Sequence, residues 1–237
     1  LKKSEIHSAV VLTAGIGKRL RPLTNHIHKA LFPVNNQPAL KLIIDKLKAV
    51  SVDSFYFNTF HLADQVTEFL DNQSLPSKTI VREKTLRNTG GGIANFRDML
   101  TDQTFILHNC DVYCEEDLQN LIGFHSNSNN IATLMVIDYP EINTVRIEDD
   151  KILDFRSKDG NCTYTGVAVF SPGIWRYFPD DEVFPIVPVL ESAMKNGENI
   201  GAYFSHAYWN DFGTLERYEK LQRYLSNIES KSLLKQP

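Results

Sequence analysis

The chain has no long apolar run, and no stretch approaches the roughly 20 apolar residues that span a bilayer as a helix, so a membrane partner is not expected. Lys2 and Lys3 are not followed by the apolar stretch and small-residue site of a secretory signal. Cysteine is sparse. Cys110, Cys114 and Cys162 cannot all pair with one another, and no histidine cluster sits beside them. A disulfide framework and a zinc site are therefore not expected, and reduced thiols in a cytoplasmic protein are. The seven histidines are scattered and nominate no catalytic base. Positive charge is not in excess, since 25 Lys and Arg against 29 Asp and Glu leave a net charge of −4. Nucleic acid is a poor partner for such a chain, and a small anion met by a local basic loop is a better one. There is no internal repeat and no low-complexity linker, and Asp159-Gly160-Asn161 reads as a turn rather than a boundary.

What is present is an ordinary globular composition, 42% hydrophobic and 23% charged, over 237 residues. That length buries one large α/β core or two small ones. Strand-like runs over Ala9–Leu12, Ser54–Thr59, Thr79–Arg82, Thr104–His108 and Ala132–Ile137 alternate with helical patterns over Leu62–Leu70, Gly92–Leu100 and Asp117–His125. This alternation predicts βαβ units and a mainly parallel sheet flanked by helices, with ligands at the carboxyl ends of strands. The second half changes character. A hairpin is expected over Thr144–Glu148 and Ile152–Phe155, strands over Tyr164–Phe170 and Gly201–Phe204, and helices over Pro185–Lys195 and Thr214–Leu225, with a polar tail that frays after Asn227. One domain over residues 1–237 is expected, with halves at 8–137 and 138–227.

The most informative stretch runs from Ser8 to Val34. An apolar strand empties into Thr13-Ala14-Gly15-Ile16-Gly17-Lys18-Arg19-Leu20-Arg21-Pro22-Leu23-Thr24, and Lys29 follows five residues later. Glycines after a strand let backbone N–H groups approach a phosphate, and four cations surround this turn. It is not a P-loop, because Gly15 and Gly17 are one residue apart and Arg19 follows Lys18. It is not a dinucleotide fingerprint, because Leu20 stands where the third glycine would be, which argues against an oxidoreductase. Handling of a polyphosphate is the chemistry that remains.

Three further constellations fit that reading. Arg87-Asn88-Thr89-Gly90-Gly91-Gly92-Ile93 places three glycines at a helix entry, costly unless backbone must approach something closely. Glu83, at a strand end, carries a carboxylate able to accept the imino N–H of uracil, thymine or guanine. Asp111 leaves the apolar strand Phe105-Ile106-Leu107, a good position for a Mg²⁺ ligand, since Mg²⁺ takes one or two carboxylates plus phosphate oxygens. Asp211 precedes the last helix, where Thr214 is the better N-cap, which leaves Asp211 free for metal.

The run GIGKRLRPLT followed by His28-Lys29-Ala30-Leu31-Phe32-Pro33-Val34 resembles the signature of the nucleotidyltransferases that make nucleotide sugars, G-x-G-x-R-L-x-P-L-T and then Pro-Lys-x-Leu-x-Pro-Val. The likeness extends from about Ala9 to Leu225. Thr-Gly-Gly-Gly-Ile is similar to the version in N-acetylmuramate-1-phosphate uridylyltransferases, and Trp209-Asn210-Asp211-Phe212-Gly213-Thr214 to the family's Trp-x-Asp-x-Gly-Thr segment. The resemblance implies a Rossmann-like α/β fold with antiparallel strands added on the sugar side. It implies an enzyme, a monomer or small homo-oligomer, that couples a nucleoside triphosphate, UTP first, to a sugar 1-phosphate with Mg²⁺. Residues 8–137 would hold the nucleotide and 138–227 the sugar. By carry-over, Arg19 and Lys29 are catalytic, and Ala14, Gly15, Gly17, Glu83, Thr89, Gly90 and Gly91 bind the nucleotide. Asn109, Tyr164, Thr165, Gly166 and Lys158 bind the sugar, with Lys158 or else Arg156 on its phosphate, and Asp111 and Asp211 hold the metal.

Four positions depart from the family pattern: Thr13 for a small Ala, His28 for Pro, Cys110 for Gly and Leu215 for Pro. His28 is expected to loosen the turn presenting Lys29, and Cys110 to put a side chain near the nucleotide. Guanylyl or thymidylyl transfer to mannose, heptose or glucose phosphates, cytidylyl transfer to phosphocholine, and a catalytically silent nucleotide-sugar-binding regulator are the alternatives. Intact Arg19, Lys29, Asp111 and Asp211 argue against the last. The family's hexapeptide-repeat acyltransferase domain is not expected.

Overall fold

The structure, a computed structural model, describes the backbone of residues 6–233 and the side chains as far as residue 228. In chain order the strands are β1 (Ser8–Thr13), β2 (Pro33–Val34), β3 (Gln37–Pro38), β4 (Ser54–Thr59), β5 (Ser77–Arg82), β6 (Phe105–Asn109), β7 (Val112–Cys114), β8 (Ala132–Ile137), β9 (Arg146–Glu148), β10 (Lys151–Asp154), β11 (Thr163–Phe170), β12 (Ile200–Phe204) and β13 (Trp209–Asp211). The α-helices are α1 (Ala39–Ala49), α2 (Ala63–Asp71), α3 (Asn88–Ala94), α4 (Arg97–Leu100), α5 (Leu118–Ser126), α6 (Ile186–Lys195) and α7 (Leu215–Leu233).

One nine-stranded sheet, in the order β5-β4-β1-β6-β11-β8-β12-β10-β9, runs through both halves of the chain. The pairs β5–β4, β4–β1, β1–β6 and β8–β12 are parallel. β11 is antiparallel to both β6 and β8, and β10 to β12 and β9. The observed class is the expected one, a mainly parallel sheet flanked by helices with antiparallel strands added. Registers bring the carboxyl ends together: Thr13 faces Thr59, Leu12 faces Asn109, and Thr59 faces Arg82. Because β11 runs the other way, its opening residues lie beside the end of β6, with Val167 opposite His108.

The two-residue period of the strands divides the core between the faces. Ala9 and Val11 pack with α1, α2 and α5, while Val10 packs with α3, α4 and α6. Ile106 and Phe105 divide in the same way, and Phe105 stacks on Phe170 and Trp175 at 5.4 and 5.5 Å. Each such side chain contributes roughly 1.5–3 kcal/mol on burial. A third cluster of Val34, Ala39, Phe212, Leu221 and Leu225 docks α7 over the β2–β3 turn. Among the described residues no helix is long and apolar enough to cross a membrane.

Several elements differ from the sequence reading. α1 was not foreseen, although Ala39, Leu40, Ile43, Ile44 and Leu47 form its buried stripe. The expected helix over Gly92–Leu100 begins at Asn88 and breaks between Ala94 and Arg97, so the glycines lie inside it. The strand expected over Thr144–Glu148 is shorter, because Val145 bridges to Cys162 instead. The tail expected to fray after Asn227 remains helical to Leu233.

Burial holds His28, His108 and His125 neutral, each lowered from 6.5 to about 4. His125 sits between the Thr133 and Ser171 hydroxyls at 2.9 and 3.0 Å. The unfolded chain therefore binds protons below pH 6.5 that the folded chain refuses until about pH 4. Stability is expected to fall as pH drops through that window and to gain nothing from these groups above it. The urea midpoint should decline from pH 6.5 to 4, and His125→Gln should remove about a third of the slope. A midpoint flat across this range would show that these imidazoles are protonated in the fold.

Candidate active site

The turn after β1 is locked to its neighbours. The Thr13 N–H donates to Asn58 Oδ1 at 2.9 Å, and the Thr13 hydroxyl donates to the Asn58 carbonyl at 2.5 Å. The hydroxyl that departs from the family pattern thus ties the turn to β4. Gly17 has φ +65°, a left-handed conformation that suits glycine, and accepts from the Thr24 hydroxyl at 2.9 Å. Lys29 lies against this turn, and a Cβ on Gly15 would meet its Cε and Nζ at 3.1 Å. His28 tightens the segment presenting Lys29 rather than loosening it. Its φ of −65° suits the family's proline, its Nδ1 accepts from Ala30 N–H at 3.1 Å, and its own N–H donates to Gln65 Oε1 at 2.9 Å.

Lys29 Nζ sits 2.6 Å from Asp111 Oδ2. Burial opposes the charge on each, yet their mutual attraction prevails, holding the lysine above its ordinary range and the carboxyl below. Asp111 is delivered by the end of β6 and Asp211 by β13. The antiparallel pairing of Asp211 with Val112, and a bond from Phe212 N–H to the Asp111 carbonyl at 3.0 Å, make the two acids neighbours. Their shared focus is Gly213. A Cβ there would lie 2.8 Å from Asp211 Oδ1, 2.9 Å from Arg19 Nη2 and 3.5 Å from Asp111 Oδ2. Two carboxylates and a guanidinium thus surround one small space that only glycine leaves open. No group of three acid, His or Cys ligands occurs among the described residues. Two carboxylates suit Mg²⁺, whose remaining positions go to phosphate and water, so the donor set fits.

Two expectations, one about Asp211 and one about Cys110, need revision. Thr214 does cap α7, accepting from Arg217 N–H at 3.3 Å, but that does not leave Asp211 free. Asp211 Oδ2 is bonded by Arg217 Nη1 at 2.6 Å and Oδ1 by Gly213 N–H at 2.7 Å. Cys110 is fully buried in the core face of α1, its thiol pushed up to about 12 by burial, so its side chain adds nothing to the cleft.

Beside the acids lies a cleft of about 400 Å³. Of the residues expected there, Ala14, Gly15, Lys29, Thr89, Asn109 and Asp111 line it. Leu12, Asn58, Leu86, Asn88 and Val183 line it as well and were not singled out. Leu86 and Val183 are exposed apolar residues at its mouth, 38% and 57% accessible, a signal that only a structure reveals. Asn88 was legible inside the glycine run. It adopts φ +64°, which Asn tolerates, and its Oδ1 accepts from Thr89 N–H at 2.8 Å.

The remaining expected residues are placed elsewhere. Glu83 is buried behind the cleft, where Oε1 accepts from Asn58 and Asn95 at 2.9 Å each and Oε2 from Arg87 N–H at 3.0 Å. It orders the loop with both oxygens already engaged, and it does not line the cleft. The glycines of α3 are required by packing. A Cβ on Gly90 would strike the Phe184 ring at 2.5 Å, and one on Gly91 the Glu182 carbonyl at 2.2 Å. Gly166 makes room in the same way, since a Cβ would meet Asn109 Nδ2 at 2.5 Å, and so lets that side chain face the cleft. Thr165 bonds to the Met135 and Trp209 main-chain and indole groups through its hydroxyl and carbonyl. Tyr164 packs into the core facing α6, away from the cleft lining. Arg156 pairs with Glu191 of α6 at 3.7 Å, and Lys158 is exposed on its turn, so neither lines the cleft.

A family model described as nucleotidyl transferase matches residues 8–227. The chain is 29% identical over 222 residues to mannose-1-phosphate guanylyltransferase of Mycobacterium tuberculosis, an overlap of 89% of this chain and 62% of the relative. It is 30% identical over 246 residues to a probable mannose-1-phosphate guanylyltransferase of Oryza sativa subsp. japonica, covering 94% and 66%. The chain spans between about half and two thirds of the length of the curated relatives it matches. UDP-glucose pyrophosphorylase from Acinetobacter baumannii shares the fold with a TM-score of 0.82 at 17% identity, covering 97% of this chain and 98% of that one. With the family match running through residues 8–227, nearly the whole chain, the chain belongs to the nucleotidyl transferase family.

Proposed function

We propose that the protein transfers a nucleotidyl group from a nucleoside triphosphate to a sugar 1-phosphate. A phosphate oxygen of the sugar attacks the α-phosphorus, the bond from that phosphorus to the α–β bridging oxygen breaks, and pyrophosphate leaves in line. A phosphate dianion is already a competent nucleophile, so no protein base is required, which fits the neutral, buried histidines. Catalysis is then positioning and charge stabilisation. The observation that carries this reading is the convergence of Asp111, Asp211 and Arg19 on Gly213, with Lys29 on Asp111, beside a cleft of suitable size.

In this reading Lys29 meets the α-phosphate and Arg19 the leaving pyrophosphate. Ala14 and Gly15 supply backbone along the phosphates, and Gly17 sets the turn that aims Arg19. Asp111 and Asp211 would hold Mg²⁺, which when bound supplies positive charge to the phosphate oxygens. Asn109, freed by Gly166, faces the sugar side, and residues 8–137 and 138–227 divide nucleotide from sugar. Leu12, Leu86 and Val183 offer apolar faces to the base. Asn88, whose carbonyl oxygen is engaged by Thr89, presents its amide NH₂ to a base carbonyl.

An NH₂ donor suits O4 of uracil or O6 of guanine and opposes the amino groups of cytosine and adenine. UTP is the expected donor, and GTP or dTTP, whose thymine carries the same O4, the runner-up. A matrix of triphosphates against sugar 1-phosphates, read by pyrophosphate release, tests both levels. CTP and ATP should turn over about tenfold slower or worse, because a donor facing a donor leaves two unpaired groups. CTP as the best donor would overturn the base assignment, and no release with any pair would overturn the activity.

A further inference from the structure

Both acids that would hold the metal are already closed by cations, but the two cations are not alike. Lys29 belongs to a capped, buried turn and reaches Asp111 from beneath the glycine loop. Arg217 opens the first turn of α7 and borders a second cavity of about 340 Å³, which it shares with Arg19, Tyr139 and Lys220. Its guanidinium has another place to rest there, since its carbon already lies 5.8 Å from the centre of the Tyr139 ring. Lys220 stands 5.0 Å from the same ring and donates to the Tyr139 hydroxyl at 2.9 Å. The Asp211 end of the site therefore opens onto a cavity lined by three cations, with Glu141 and Glu216 as its acids.

The electrostatics follow from the distances. Arg217 Nη1 at 2.6 Å from Asp211 Oδ2, with Gly213 N–H at 2.7 Å from Oδ1, leaves this carboxylate no oxygen without a donor. A divalent cation entering alone either shares Oδ1 with the Gly213 N–H while facing Arg217 and Arg19 as like charges, or has to displace the guanidinium from Oδ2. An entering polyphosphate reverses that balance, because its oxygens accept the bidentate guanidinium fork and draw it off the carboxylate. We propose that Arg217 is a movable counter-ion: it holds Asp211 in the free protein and passes to a phosphoryl group when a metal–polyphosphate arrives, so that metal alone is excluded. Arg217 is on this account a positioning residue. The proposal rests on the function above only for the identity of the anion.

Mn²⁺ serves as the probe, with free ion counted by electron paramagnetic resonance in titrations of nucleotide-free protein. Wild-type protein is expected to bind Mn²⁺ weakly. Arg217→Gln should bind it at least tenfold more tightly, and adding Asp211→Asn to that variant should abolish the gain. Lys220→Gln, which leaves the Asp211 pair intact, should match wild type. Thermal unfolding of each variant verifies its fold. Equal Mn²⁺ affinity in Arg217→Gln and wild type would overturn the proposal, as would a gain that survives removal of the Asp211 carboxylate. Should Arg217→Gln fail to fold, wild type decides. Mn²⁺ should bind at least tenfold more tightly with a non-hydrolysable UTP analogue present, beyond what the analogue binds by itself, and an unchanged affinity would overturn the proposal. None of these readouts requires turnover, so an inactive substrate matrix would remove the proposed function without deciding this one.

Discussion

Asp111→Asn is expected to lower kcat/KM by about 10²-fold or more at saturating Mg²⁺, the scale of removing one preorganised electrostatic group. It should also lower the melting temperature. The carboxylate it neutralises is the partner of a largely buried ammonium at 2.6 Å, and among the described residues no second acid is within ion-pair distance of Lys29. Breaking a buried pair costs on the order of 3–5 kcal/mol when one charge is left bare, and the Asn oxygen recovers part of that. Asp211→Asn should cost a similar factor in activity with a smaller change in stability, because its partner Arg217 can rest on the Tyr139 ring. Steady-state kinetics and thermal denaturation on the two variants separate these effects. Near-normal turnover in either one would remove it from the metal site.

Arg19→Ala and Lys29→Ala should reduce kcat strongly, by about 10²-fold, while KM for the triphosphate changes less. Charge on the transferring group and on pyrophosphate shifts during in-line displacement, so cations placed there act on the transition state. The geometry separates the four cations of the opening loop. Lys29 touches Asp111, and Arg19 Nη2 lies 2.9 Å from the focus at Gly213. Arg19 is as exposed as Lys18 and Arg21, but it lines the second cavity, whereas Lys18 and Arg21 line neither. Their Ala variants are expected to lose less than about tenfold, roughly 1.4 kcal/mol. If Lys18→Ala or Arg21→Ala proved as damaging as Arg19→Ala, the loop would be a diffuse attractor and the individual roles would fall.

Features that depend on neighbours along the chain were legible in the sequence. The two-residue and 3.6-residue periods expose the alternating strands and helices, because burial on a sheet or helix face is imposed locally. The glycine turn with Arg19 and Lys29, the acids Asp111 and Asp211, and the Thr214 cap were found because each follows from a short run read in order. α1 carries the same kind of signal in its stripe of Ala39, Leu40, Ile43, Ile44 and Leu47. The tertiary structure alone decided what those groups touch. Glu83 looked available to a base, yet Asn58, 25 positions earlier, and Asn95 take its oxygen. Gly90 and Gly91 of α3 looked like part of a nucleotide cradle, but the 182–184 segment packs against them. Lys29 and Asp111, 82 positions apart, pair at 2.6 Å, and Arg217 closes the carboxylate that its own helix cap seemed to leave free. Hydrogen-bond capacity is finite and is filled by whichever group the fold brings within 3 Å, so a side chain's chemistry can be read from its type, but its availability depends on contacts that no local run of sequence contains.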